Sequence, residues 1–183
     1  EDRVLALDMF KHDPLLFEPG TRYHYSTPGF SLLGAVIERA GGATFREQVL
    51  EHVAQPLGMD SLQPDFIWEP VPHRTAGYTT SGERVVQQGD DDISWKLPAG
   101  GWMSTAEDLA RFGAGLLGDE ILGDSARHAM FEPARLADGT ATSYGMGIRP
   151  DRSAGMTFVQ HGGAQQKTAT HLLVAVEPQP VGD

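Results

Sequence analysis

The chain has no cysteine among its 183 residues. Disulfides, thiolate metal sites and cysteine nucleophiles are thereby excluded, while the compartment stays open, because a cysteine-free chain is at home on either side of a membrane. Basic residues are also scarce. Fourteen Lys and Arg face 25 Asp and Glu, for a formal charge of −11, which argues against nucleic acid as a partner because phosphate binding needs clustered cations. No apolar run approaches the ~20 residues of a membrane-spanning helix. No basic-then-apolar leader opens the sequence, and its first residue is Glu1 rather than methionine. Internal repeats and low-complexity tracts are absent as well. What is present, 40% hydrophobic residues with aromatics spread along the length, fits one packed domain, and the acidic balance fits action on small or uncharged substrates.

The chain turns on Glu18-Pro19-Gly20-Thr21-Arg22-Tyr23-His24-Tyr25-Ser26-Thr27-Pro28-Gly29-Phe30. Pro19-Gly20 is a turn dipeptide. Ser26-Thr27-Pro28 then has the pattern of a helix N-cap and first turn. Phe30, Leu32, Leu33, Val36, Ile37 and Ala40 recur at helical spacing as far as Gly41-Gly42. Tyr25 thus falls where a helix begins, near a concentration of backbone N–H groups. Taken alone it is either a core anchor or a reactive phenol.

Elsewhere the spacing predicts a short helix over Val4–Phe10. A second helix starts from a Thr44/Glu47 capping box, buries Phe45, Val49 and Val53, and stops near Gly58. A weak hairpin is expected over 78–86, turning at Ser81-Gly82. Asp90-Asp91-Asp92 reads as a solvated loop, with a hard cation as the alternative. A Ser104/Glu107 capping box should open a helix through Leu109, Phe112 and Leu116 to Gly118, followed by a short helix capped by Asp124. Strands are predicted at Tyr144–Ile148, Met156–Val159 and Thr170–Val176. Helices first and antiparallel strands last make an α+β domain, helical with loops over 1–140 and stranded over 141–177. His161-Gly162-Gly163-Ala164 closes the middle strand. It is either a glycine turn beside a surface histidine or a stretch whose backbone N–H groups stabilise an oxyanion.

These motifs occur together in a particular order. Gly20-Thr21, Tyr25-Ser26-Thr27-Pro28-Gly29-Phe30-Ser31-Leu32-Leu33-Gly34, Pro56-Leu57-Gly58-Met59, Ala99-Gly100-Gly101-Trp102-Met103-Ser104-Thr105 and His161-Gly162-Gly163 follow one another across residues 16–177. The series resembles the serine β-lactamase and penicillin-binding-protein-like family. Its Tyr-Ser-Thr variant and its histidine are similar to those of the mitochondrial β-lactamase-like serine proteases and their bacterial relatives. The resemblance implies a β-lactamase/DD-peptidase-like α+β fold and a serine hydrolase, without cofactor or metal, that forms an acyl-enzyme on a small ester, amide or D-amino-acid peptide. It implies Tyr25 as general base or acid and His161 as a catalytic pocket residue. Thr27, Gly162, Gly163 and Ala164 would contact substrate, with Ala164 donating an oxyanion-hole N–H.

Three departures qualify this picture. The family's Ser-x-x-Lys nucleophile motif occurs nowhere in the 183 residues. Because the family carries that motif upstream of the Pro-Gly stretch, the expectation is a middle-to-late piece of a larger hydrolase, inactive alone and completed by another chain. A non-catalytic binding or scaffold protein of the same fold is the alternative. Thr27 replaces an asparagine, losing a carboxamide that both donates and accepts, which makes β-lactamase or penicillin-binding activity the weaker reading. Lys167 stands where the family has glycine, either at the pocket mouth or in solvent. His161, with an ordinary pKa near ~6.5, is expected to give a rate that depends on pH near neutrality.

Overall fold

A computed structural model describes residues 6–153, 155–165 and 168–176. Helix α1 (Thr27–Gly41) has the ends its sequence prescribes. Ser26 is the N-cap, its hydroxyl accepting from Gly29 N–H at 3.1 Å, and Gly42 closes the helix in a left-handed conformation at φ 69°. The capping box also forms: Thr44 N–H donates to Glu47 Oε2 at 2.8 Å, and Glu47 N–H to Thr44 Oγ1 at 3.2 Å. It opens α2 (Phe45–Val49), which continues through a π-helical turn (Leu50–Ala54) into α3 (Gln55–Leu57). Phe45, Val49 and Val53 are half-buried rather than buried. Of the expected helix over Val4–Phe10, residues 1–5 lie outside the described residues, residues 6–7 are helical and turns follow.

A two-residue strand β1 (Gln63–Pro64) pairs with β4 (Trp102–Met103), and a solvent-facing hairpin joins β2 (Tyr78–Ser81) to β3 (Arg84–Gln87). A 3-10 turn (Ser94–Lys96) leads into α4 (Leu97–Gly100). Helix α1 lies directly on α4. A Cβ built on Gly34 would fall 2.1 Å from Pro98 Cγ, so glycine is what permits this approach.

Helix α5 (Ala106–Gly115) starts one residue later than the sequence suggests. Thr105, not Ser104, is the N-cap, accepting from Asp108 N–H at 3.2 Å, while Glu107 pairs with Arg111. Asp108 is buried. Its carboxylate accepts from Ser61 N–H at 2.8 Å and from Arg111 Nη1 at 2.8 Å, joining the start of α5 to the end of the α2–α3 rod. Helix α6 (Asp124–Phe131) has Gly123 as its N-cap; Asp124 is its first residue and pairs with Arg127 instead of capping.

The predicted strand at 144–148 is a bend. Gly145 N–H donates to Ile148 O at 2.8 Å and Met146 N–H to Met130 O at 3.2 Å, so the backbone folds on itself before a neighbour can pair with it. The sheet begins after it, as β5 (Arg149–Ser153), β6 (Met156–Ala164) and β7 (Ala169–Val176), antiparallel in that order. One face of the sheet carries the core. Ile148, Val159 and Val174 meet Leu116, with Phe112, Met130, Phe131 and Leu172 packed around them. Strand alternation then dictates that His161, two residues beyond Val159, points to this same side.

Candidate active site

Strands β5 and β6 pair only as far as Arg149 opposite Gln160. From His161 to Ala164 the edge of β6 away from β7 has no strand beside it among the described residues, and a cleft of about 990 Å³ opens there. His161–Ala164 is accordingly not a turn between strands. It is continuous strand, paired with β7 through Gly162 opposite His171 and Gly163 opposite Thr170.

The cleft collects all six predicted site residues: Tyr25 and Thr27 from the start of α1, and His161, Gly162, Gly163 and Ala164 from β6. The Tyr25 and His161 rings lie 6.2 Å apart, centroid to centroid. The Ala-Gly-Gly-Trp segment forms the opposite wall. Gln165 fixes its distance from β6, donating to Gly100 O at 3.0 Å and accepting from Lys96 Nζ at 2.7 Å. Trp102 lines the cleft, whereas Trp95 lies beneath the Lys96 ammonium. Lys167 lies outside the described residues. Of the acidic triplet, Asp92 accepts from Ser94 N–H at 2.9 Å, and Asp90 and Asp91 line the cleft's far side. No group of three His, Asp or Glu is placed to hold a metal ion, and no helix is long and apolar enough to cross a membrane, among the described residues.

Sequence reasoning missed Tyr144, which it read as a strand residue. Tyr144 is the hub of the site. Its hydroxyl is 2.9 Å from His161 Nε2. Tyr23 stacks on its ring at 5.7 Å, Tyr25 meets it edge-on at 5.8 Å, and the Arg149 guanidinium lies 5.9 Å from its centroid. The one clue in the sequence was an aromatic followed by a Gly-x-Gly bend, which the strand assignment absorbed. A second, apolar pocket of about 460 Å³ adjoins Tyr25 on the other side, walled by Tyr23, Phe30, Leu33, Tyr144 and Met146.

The electrostatics divide the site. Burial, reinforced by the neighbouring Tyr25 and Tyr23 phenols, pushes the Tyr144 phenol up to about 12. Burial, then the charge of Arg149, holds His161 below the ordinary histidine value. The shift favours the neutral imidazole and moves its titration to the acid side of the near-neutral range expected from the sequence, while Arg149 supplies fixed positive charge beside it. Tyr25 differs from Tyr144 in exposure, at 45% against 5%.

A family model described as Beta-lactamase matches residues 1–179. The mitochondrial serine beta-lactamase-like protein LACTB of Homo sapiens is 35% identical over 120 residues, covering 64% of this chain and 21% of that protein. A D-aminopeptidase of Gluconobacter oxydans is 26% identical over 159 residues, covering 87% of this chain and 30% of that protein. Among solved structures, a penicillin-binding protein of Bacillus halodurans superposes with a TM-score of 0.78 at 26% identity, over 93% of this chain and 53% of that one. The chain thus spans about half the length of this structural neighbour and about a fifth to a third of the curated relatives. With the fold, the ordered motifs and the family model in agreement, the chain belongs to the Beta-lactamase family, a family of serine hydrolases.

Proposed function

We propose that this chain is the base-bearing part of a serine hydrolase that forms an acyl-enzyme on an ester, an amide or a D-amino-acid peptide, with its nucleophilic serine supplied from outside these 183 residues. The observation that carries the proposal is the meeting of Tyr25 with His161–Ala164 in one cleft from opposite ends of the sequence. The D-aminopeptidase among the relatives supports the D-amino-acid class. The exposed apolar side of α1, at Leu32, Leu33 and Val36, offers a completing segment surface to bury next to Tyr25.

In the first step the serine Oγ attacks the carbonyl carbon while its proton passes to the Tyr25 phenolate. The carbonyl π electrons move onto oxygen, where backbone N–H groups of β6, with Ala164 among them, stabilise the charge. As the tetrahedral species collapses, the alcohol or amine leaves with the proton held by Tyr25. Water then attacks the acyl-enzyme by the same exchange, releasing the acid and restoring the serine. Tyr25 needs a nearby cation to persist as phenolate, because a free phenol titrates near ~10. A Ser-x-x-Lys lysine supplies that charge in this scheme. Thr27 lies at the start of α1, where its hydroxyl contacts the substrate's amide side.

Fluorophosphonate labelling tests the scheme. The 183-residue chain alone takes no label, whereas the same chain joined to a Ser-x-x-Lys segment labels on that serine and hydrolyses an ester. Tyr25→Phe in the joined protein lowers kcat/KM by roughly 10²–10⁴-fold, the usual share of a general base. Labelling of any serine within residues 1–183 overturns the scheme. A joined protein that folds and never labels indicates a non-catalytic binding role instead.

A further inference from the structure

Tyr144 is held at both of its backbone groups. Its carbonyl accepts from Ala134 N–H at 2.8 Å and Thr142 Oγ1 at 2.9 Å, and its own N–H donates to Thr142 Oγ1 at 3.2 Å. The next residue fixes the chain equally tightly. A Cβ on Gly145 would fall 2.4 Å from Met130 O and 2.9 Å from Glu132 O, so only glycine fits there. The ring is buried, and its hydroxyl ends on His161 Nε2.

One hydrogen joins the two groups, and the surroundings decide which carries it. The groups acting on the imidazole are Tyr144 from the bend, Arg149 on β5, His171 on β7 and the Gly162 backbone on β6, with the Tyr25 ring facing it from the segment before α1. None of these is a carboxylate, and Arg149 opposes an imidazolium. A neutral imidazole has one N–H and one lone pair. The Gly162 backbone favours a proton on the ring, and with Nε2 taken up by the Tyr144 hydroxyl at 2.9 Å, Nδ1 is the nitrogen left to carry it. The Tyr144 phenol keeps its own proton at any physiological pH.

We propose that Tyr144 is a positioning residue: its O–H donates to His161 Nε2, fixing the imidazole neutral with its proton on Nδ1 and leaving the exposed Tyr25 as the phenol that moves protons. The inference rests on the proposed hydrolase reading for its role, since two contacting tyrosines with unlike surroundings divide into a proton carrier and a fixed donor. Its geometry stands independently. Nε2 of His161 is then closed to substrate, and the histidine serves as a wall and dipole of the cleft.

The test is the tautomer of His161, read by long-range ¹H–¹⁵N correlation on the ¹⁵N-histidine-labelled chain and assigned by loss of its signals in His161→Gln. The expected result is a single Nδ1–H tautomer that becomes a mixture in Tyr144→Phe and is retained in Tyr25→Phe. An Nε2–H tautomer or a mixture in the unsubstituted chain overturns the proposal, as does an unchanged tautomer in Tyr144→Phe. If Tyr144→Phe loses the native spectrum, the unsubstituted chain decides alone. No turnover is needed, so a chain that fails every labelling experiment still reports the tautomer, and the two readings fail separately.

Discussion

Two tyrosines from differently built walls meet in the cleft. Tyr144 belongs to the sheet wall, where Ile148, Val159 and Val174 close over Leu116 and the bend is pinned from both sides. Tyr25 belongs to the α1 wall. That wall is held by the Ser26 cap, by the contact of Gly34 with Pro98 and by a hydrogen bond from Ala137 N–H to Gly20 O at 2.8 Å. Leu32, Leu33 and Val36 on α1 face outward. The difference shows how one site obtains a rigid group and an adaptable one. The sheet wall holds the Tyr144 hydroxyl against His161 Nε2, and the α1 wall presents the exposed phenol of Tyr25.

The largest expected effect tests whether the walls really differ in stability. Leu116, 1% exposed, is central to the sheet-wall core, whereas Leu33 on α1 is 49% exposed. Leu116→Ala should cost about 2–5 kcal/mol in urea denaturation through lost burial and a residual cavity. Leu33→Ala should cost less than about 1 kcal/mol, as partly exposed positions usually do. Equal losses would break the comparison, because they would mean that the α1 face is covered when the protein is in solution.

An intermediate effect concerns the cap that aims Tyr25. Ser26→Ala removes the acceptor for Gly29 N–H and should destabilise the chain by about 1 kcal/mol. The loss should concentrate at the start of α1. Amide exchange at Gly29 should therefore quicken while exchange in β6 is little changed. Uniform quickening in both places would show that the two walls open as one unit.

The two walls were also unequally legible in the sequence. Caps and boxes are local, so Ser26, Gly42 and the Thr44/Glu47 pair could be read from a few consecutive residues. The start of α5 was misplaced by one residue because Ser104, Thr105, Glu107 and Asp108 offer two overlapping cap patterns. The choice between them is made by Ser61, which binds Asp108 across the fold, together with Arg111 one turn along α5. The strand expected at 144–148 failed for a similar reason. Its alternation is genuine, but Gly145 and Met146 find hydrogen-bond partners at Ile148 and Met130, which no local pattern reveals. Tyr144 went unnoticed with it. The ordered motifs brought Tyr25 and His161 together, whereas the group that joins them is a product of tertiary packing.

The smallest expected effect separates the two largest of the three causes that lower the His161 midpoint, which are burial, Arg149 and His171. Burial is the larger and Arg149 the lesser. Arg149→Gln should therefore raise the imidazole midpoint part of the way toward its ordinary value, and raise the Tyr144 phenol with it, since the cation favours the deprotonated form of both. The sign carries over to stability. With the folded midpoint below the unfolded one, the unfolded chain binds the proton first as pH falls. The contribution of His161 is thus fully present above its ordinary value and is lost on acidification toward the depressed one. Arg149→Gln narrows that window, so the variant should lose less stability than the unsubstituted chain between neutral and mildly acidic pH. Imidazole titration by NMR and urea denaturation at the two pH values measure the two consequences. An unmoved midpoint would assign the lowered His161 midpoint to burial, with His171 as the remaining charge.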